Sequence, residues 1–359
     1  MLKKLLLAAV CCCFGWLATP SASAAEGIKD LKVGVVMPSK DLERWAREGA
    51  YMEGLFKNAG IKYDLQYGAQ VDPQVNFIQN MLSSGCNVLV IAAVDGASLS
   101  SVLETAKEHH VPVISYDRLI MGTDAVSYYI SFDNTKVGEL QGGFIRDQLG
   151  LDRPENQNKT FNIELFAGAP DDNNAQFFFD GAMNVLQPYL DKGQLKVLSG
   201  QKDRAACGTE RWSSQKAQER MENLISAQDY AGDTRLDAVM SNNDAIARGV
   251  AEALNSQGVE IANFPIITGQ DCEVTSVKYI REGRQSMSVF KDTRKLADQV
   301  VKTVQALAKG EVPETNDTTT YNNGKKIVPS FLCPLDVVTK DTIKAVLVDT
   351  GYYQEAELK

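Results

Sequence analysis

The sequence predicts an α/β protein of two doubly wound lobes, each a parallel sheet flanked by helices. Three observations carry this. Short apolar, β-branched runs recur along the chain, each followed by a helix-length segment. The runs are continuous rather than alternating, as in strands buried on both faces. The pattern pauses and restarts near residue 134, giving two similar sets, and 359 residues suffice for two domains.

The first set opens with a strand at 31–38, a turn, and a helix ending at Ala59 and Gly60. A strand at 61–69 follows. Asp72 then Pro73 read as an N-cap and first-turn proline of the next helix. Strand 88–93, helix 98–110, strand 111–116 and a further strand at 127–132 complete the set. The second set has strands at 161–169, 195–200, 237–240, 265–269 and 286–290, with helices between them. A helix at 294–309 precedes a connector at 311–334 rich in Thr, Asn, Gly and Pro. Its segment 328–334 is bracketed by prolines and suits a strand-like crossing, and a last helix is expected at 341–348.

Residues 1–24 read as an export signal. Lys3 and Lys4 form the charged start, 5–17 an apolar core too short to span a bilayer, and Ala22, Ser23 and Ala24 the cleavage site. The alternative is lipid attachment at Cys11, Cys12 or Cys13. Four cysteines remain in the mature chain, namely Cys86, Cys207, Cys272 and Cys333. Export permits disulfides. Free buried thiols are the expectation, with Cys207 and Cys272 the pair to test. A net charge of −9 with no basic stripe argues against a nucleic-acid partner.

The residues at the strand ends are chemically distinctive. Arg44 and Trp45 come after the first strand, and Asp117 and Arg118 after the fourth. The second set supplies Asp172, Asn173, Asn174, Asn243, Asp244, Asp271 and Lys291, with Trp212 on another loop. In open α/β sheets these carboxyl edges are where ligands sit. Amides, carboxylates and cations make directed hydrogen bonds, and indoles offer flat apolar surface. A polyhydroxylated ligand needs that mixture. For each Asp or Asn singly, capping of the following helix is the plain alternative.

Enzyme signatures are missing. The two histidines, His109 and His110, sit together at one helix end, and no Ser/His/Asp set, metal-ligand spacing or phosphate loop occurs. A carboxylate pair for glycoside hydrolysis, drawn from Asp117, Asp172, Asp244 and Asp271, is the alternative reading. The neighbouring cations should hold those carboxyls low, which suits hydrogen bonding better than acid catalysis.

The runs 114–120 (ISYDRLI), 128–134 (YYISFDN), 161–166 (FNIELF), 170–175 (PDDNNA), 269–271 (GQD), 290–294 (FKDTR) and 348–353 (VDTGYY) resemble the type I periplasmic sugar-binding proteins of ABC transporters. Within them they are most similar to the ChvE-type multiple-sugar-binding and D-xylose-binding proteins. The resemblance covers nearly all of 30–359. It implies two Rossmann-like lobes of the type I periplasmic-binding-protein fold, joined by a three-segment hinge near Asn134, Lys291 and Pro329. The first lobe would comprise 25–133 plus 292–328 and the second 134–291 plus 329–359. The implied sugar contacts are Arg44, Trp45, Asp117, Arg118, Asn174, Trp212, Asn243, Asp244, Asp271 and Lys291, with Asn243 and Asp244 as alternatives at one position. The run 202–207 departs from the relatives, so the approach to Trp212 differs. The calcium loop of glucose/galactose-binding relatives lacks its regular Asp spacing at 189–194, and no metal or cofactor is expected. The implied function is capture of an aldopentose or aldohexose, such as xylose, glucose or galactose, in the periplasm. The partners would be an ABC permease and also a membrane sensor or chemoreceptor, with the binding protein a monomer. The alternative remains an exported glycoside-acting enzyme on the same scaffold.

Overall fold

The computed structural model describes residues 27–40 and 43–359. The signal segment and the alternative lipid site at Cys11, Cys12 or Cys13 lie outside them. The elements run β1 (Lys32–Met37), α1 (Glu43–Asn58), β2 (Lys62–Tyr67), α2 (Val71–Ser83), β3 (Val88–Ile91), α3 (Ser100–Glu108), β4 (Val113–Tyr116), β5 (Val126–Phe132) and α4 (Asn134–Leu149). Then come β6 (Phe161–Phe166), α5 (Asn173–Asp191), β7 (Leu195–Lys196), α6 (Arg204–Cys207), α7 (Ser214–Gln228), β8 (Ala238–Ser241), α8 (Asp244–Ser256), β9 (Ile266–Ile267) and α9 (Val274–Glu282). The chain closes with β10 (Ser288–Lys291), α10 (Thr293–Lys309), β11 (Ser330–Cys333) and β12 (Leu335–Val338).

The first sheet has the order β11-β5-β4-β3-β1-β2 and is parallel throughout. Its strands are buried on both faces because helices cover both. From α1 and α10, Trp45, Phe56, Leu296 and Val300 pack on Val33 and Val35. From α2 and α3, Ile78, Met81 and Leu103 pack on Val36 and Leu89 of the opposite face. Burying each such side chain contributes about 1.5–3 kcal/mol. The second sheet has the order β7-β6-β8-β9, also parallel. A single bridge, Gln270 to Val289, joins β10 to it, and β10 pairs antiparallel with β12. Helices α4 and α5 lie unusually close. A Cβ at Gly138 would stand 2.0 Å from the Phe178 carbonyl oxygen, so only glycine fits there.

The chain passes between the sheets three times, after β5, β10 and β11. At the first two passages an aspartate starts the next helix. Asp133 accepts a bond from Lys136 N at 2.9 Å, and Asp292 one from Arg294 N at 3.1 Å. The third passage comes later than expected. Pro329 already sits in the first sheet, its carbonyl accepting from Tyr129 N at 3.0 Å. Residues 330–333 pair with β5, so the chain leaves at Pro334, which has no N–H to extend the ladder.

Smaller expectations also shift. The cap of α2 is Gln70, with Asp72 already inside the helix. The strand expected at 195–200 is reduced to Leu195–Lys196, and the last helix to a wide turn at Lys344–Val348. All four mature cysteines are free and buried, Cys207 and Cys272 included.

Candidate functional site

The carboxyl ends of both sheets face each other across a cleft. Between them lies a cavity of about 320 Å³, counting the part open to solvent. The first lobe contributes Arg44, Trp45, Asp117 and Arg118. The second contributes Asp172, Asn174, Phe178, Trp212, Asn243, Gln270, Asp271 and Lys291.

Arg44 is the hub. It stands in the first turn of α1, where the chain returns from β1. Its Nε donates to Glu48 at 2.6 Å, Nη2 to Asp117 at 2.9 Å, and Nη1 to Asp271 of the other lobe at 3.3 Å. Glu48 is wholly buried and also accepts from Tyr116 Oη at 2.7 Å. Burial pushes its carboxyl up, against the pull of Arg44. Burial would raise Asp117 too, but Arg44, Lys291 and Arg118 outweigh it and hold the group below its usual range. Asp117 therefore stays an anionic acceptor at neutral pH.

Two further pairs cross or line the cleft. Arg118 Nε lies 3.0 Å from Asp172 Oδ2, and Lys291 Nζ 2.9 Å from Asp271 Oδ1. Asn174 is committed on both sides. Its Nδ2 donates to the Asp117 carbonyl at 2.7 Å, while its Oδ1 accepts from Tyr129 Oη at 3.1 Å and Asn134 Nδ2 at 3.0 Å. The lobes are thus closed, with bonds spanning the cleft.

The flat walls are Trp45 and Trp212. Trp45 is overlain by two guanidinium groups, Arg44 at 4.4 Å and Arg118 at 5.4 Å from the ring. Trp212 donates its Nε1 to Asp172 at 3.2 Å and meets Phe178 edge-on at 6.1 Å. Gly168 makes room for it, since a Cβ there would lie 2.0 Å from the indole. Asp117, Trp212 and Asp271 all adopt positive φ, at 59°, 57° and 96°. Non-glycine residues held in that region store strain and cluster where side chains must be aimed. Three cavity residues carry a buried polar atom with no hydrogen-bond partner among the described residues: Arg118 Nε, which has its ion pair with Asp172, and Trp45 Nε1 and Gln270 Oε1, which have no such compensation.

The profile of the periplasmic binding protein domain family matches residues 33–312. The chain belongs to this family. It is 48% identical over 330 residues to the multiple sugar-binding periplasmic protein SbpA of Azospirillum brasilense, covering 91% of each chain. It is 47% identical over 330 residues to the multiple sugar-binding periplasmic receptor ChvE of Rhizobium radiobacter, covering 91% of this chain and 92% of that one. Among solved structures, an ABC transporter solute-binding protein from Clostridium phytofermentans with bound β-D-glucose superimposes with a TM-score of 0.86. It is 49% identical and covers 91% of this chain and 100% of that one.

Within this type I periplasmic binding fold, nine of the ten residues singled out from the sequence line the cavity. Asp244 does not. Asn243 caps α8, its Oδ1 accepting from Ile246 N at 2.9 Å, which leaves its Nδ2 to donate. Asp244 is buried behind the wall, where Oδ1 accepts from Gln285 and Ser288 at 2.8 Å and Oδ2 from Glu273 N at 2.9 Å. Burial and the nearby Glu273 push its carboxyl up to about 8, contrary to the expectation that cations hold all these carboxyls low. The 202–207 run forms α6, whose end pairs with the second sheet through Ala167 and Gly208. Arg220 steadies that approach by donating from Nε and Nη2 to Gln201 at 2.9 and 2.6 Å.

Three cavity residues were not singled out as contacts. Asp172 stands at a strand end but reads equally as a helix cap, and it is both, since its Oδ1 accepts from Asn174 N at 2.9 Å. Gln270 stands beside Asp271 and could have been found by position. Phe178 gives no signal, being one of three phenylalanines on an amphipathic helix.

Proposed function

We propose that this protein is an exported receptor that captures one monosaccharide, an aldopentose or aldohexose such as xylose, glucose or galactose, between its two lobes. It hands the sugar to the permease of an ABC importer. The observation that carries this reading is the pair of unpaired buried atoms in the cavity wall, an indole donor at Trp45 and an amide acceptor at Gln270. Burying such groups without partners costs about 1–3 kcal/mol each, so a ligand that both donates and accepts is favoured there. Hydroxyl groups do both. The indole walls suit the C–H faces of a sugar ring. Family membership and the sugar-binding relatives support the same reading.

Arg44, Asp117, Asn174, Asn243, Asp271 and Lys291 are the hydrogen-bonding contacts, Trp45 and Trp212 the stacking walls, and Arg118 with Asp172 the pair that seals them. A ligand that bonds both lobes favours the closed form by its differential affinity. Closure is the signal a permease, or a membrane sensor, reads. The export segment and the periplasmic relatives support a periplasmic location. Calorimetry with xylose, glucose, galactose, arabinose and ribose tests the reading, with the sugar recovered afterwards. One-to-one binding with the sugar returned intact is expected; release of nitrophenol from an added nitrophenyl glycoside would favour the enzyme alternative.

A further inference from the structure

We propose that Arg47 is a positioning residue that clasps the two lobes outside the cavity and tightens ligand capture by favouring the closed cleft. This rests on reading the cavity as a ligand site that closes.

Arg44 and Arg47 are three residues apart on α1 and so lie on one side of it, a turn apart. Arg44 reaches the second lobe inside the cavity. Arg47 reaches it outside, through the C-terminal segment. Its Nη1 donates to the Tyr352 carbonyl at 3.3 Å and its Nη2 to Glu357 Oε1 at 2.9 Å. Its guanidinium lies 4.4 Å from the Tyr353 ring and 5.7 Å from that of Tyr352.

The two sides belong to different lobes. Helix α1 packs on the first sheet through Trp45, Met52 and Phe56. The C-terminal segment packs on the second, where Tyr352, Tyr353 and Leu358 join Val277 and Ile280 of α9 and Phe290 of β10. Arg281 of α9 ties it further, donating to Leu358 O at 3.1 Å and Glu355 at 2.9 Å.

The clasp also touches the loop that carries Asp271. Tyr353 Oη donates to the Cys272 carbonyl at 2.9 Å. Asp271 and Cys272 both hold positive φ, at 96° and 51°, a conformation that persists only when its surroundings enforce it. Arg47 therefore stacks on the tyrosine that holds this backbone.

A lone ion pair as exposed as Arg47 and Glu357, at 32% and 39%, contributes little. Here one guanidinium makes a carbonyl bond, an ion pair and ring stacking at once, all across the lobes. Any contact made only in the closed form raises apparent affinity by the factor by which it favours closure.

The test compares the full mature protein with Arg47→Met, Arg47→Lys and Glu357→Gln, by calorimetry and stopped-flow binding of glucose and xylose. We expect Arg47→Met to raise Kd about three- to tenfold through faster dissociation with association unchanged. Arg47→Lys should fall between, since it keeps the charge but loses the planar fork. Glu357→Gln should show a smaller loss. Wild-type Kd and dissociation rate in Arg47→Met, even with a lowered melting temperature, would reduce Arg47 to a structural role and overturn the proposal. If the wild type binds no sugar at all, the sugar reading fails instead. Small-angle scattering of the two free proteins then decides the clasp, with a larger radius of gyration for Arg47→Met supporting it and an identical one overturning it.

Discussion

Arg44 Nη1 of the first lobe lies 3.3 Å from Asp271 Oδ1 of the second. Lys291 holds the same oxygen at 2.9 Å. Asp271 is thus the acceptor on which cations from both sides of the cleft converge. Asp271→Ala should weaken sugar binding tenfold or more, since a bond to a charged group contributes about 1.5–3 kcal/mol and its loss leaves Arg44 and Lys291 short of an anion. The fold should survive, as Asp271 lies on a loop at the cavity. Titration calorimetry with circular dichroism checks this, and wild-type affinity would remove Asp271 from the site.

Trp212 offers an independent readout. It is buried, lines the cavity and bonds Asp172. Trp212→Phe should keep part of the affinity, because an aromatic wall remains. Trp212→Ala should lose more and should change the intrinsic fluorescence response to sugar. An unchanged response would place Trp212 away from the ligand.

Gly168 tests the same wall from behind. A methyl group there would meet the indole at 2.0 Å. Gly168→Ala should therefore push Trp212 out of position, weakening binding while the far-ultraviolet circular dichroism stays the same. Binding equal to wild type would mean the indole has room to spare.

Much of the architecture is legible in the sequence, for a physical reason. Buried parallel strands such as β1, β3 and β4 need continuous apolar runs, and those runs end where the chain meets the cleft. Asp117, Asn174 and Asp271 follow such runs and line the cavity, whereas Asn173, flagged by the same rule, does not. The rule stops at Asp244, where three polar residues, Asn242 to Asp244, follow β8 and only three-dimensional packing decides which one lines the cavity. It also fails at Pro329, because a proline that ends a strand and one that begins it look alike in sequence. The C-terminal tyrosines, which pack into the second lobe, carried a resemblance but no role.

Asp244 predicts a pH dependence. Its folded-state carboxyl is pushed up to about 8, above the ordinary value of about 3.9. The folded protein then binds more protons than the unfolded chain between those values. Stability from this group is fully present below about pH 4 and is lost as pH rises towards 8. The melting temperature of the free protein should decline across that window, and Asp244→Asn should flatten the decline. A slope identical to wild type in Asp244→Asn would assign the dependence to another group.

Everything proposed for this cavity depends on a monosaccharide occupying it between the lobes. The most direct measurement is titration of the mature protein with glucose and xylose by calorimetry, repeated on Asp271→Ala. One-to-one binding by the wild type and a loss of at least about tenfold in the variant are expected. No heat from any monosaccharide, or equal affinity in both proteins, would contradict that occupancy.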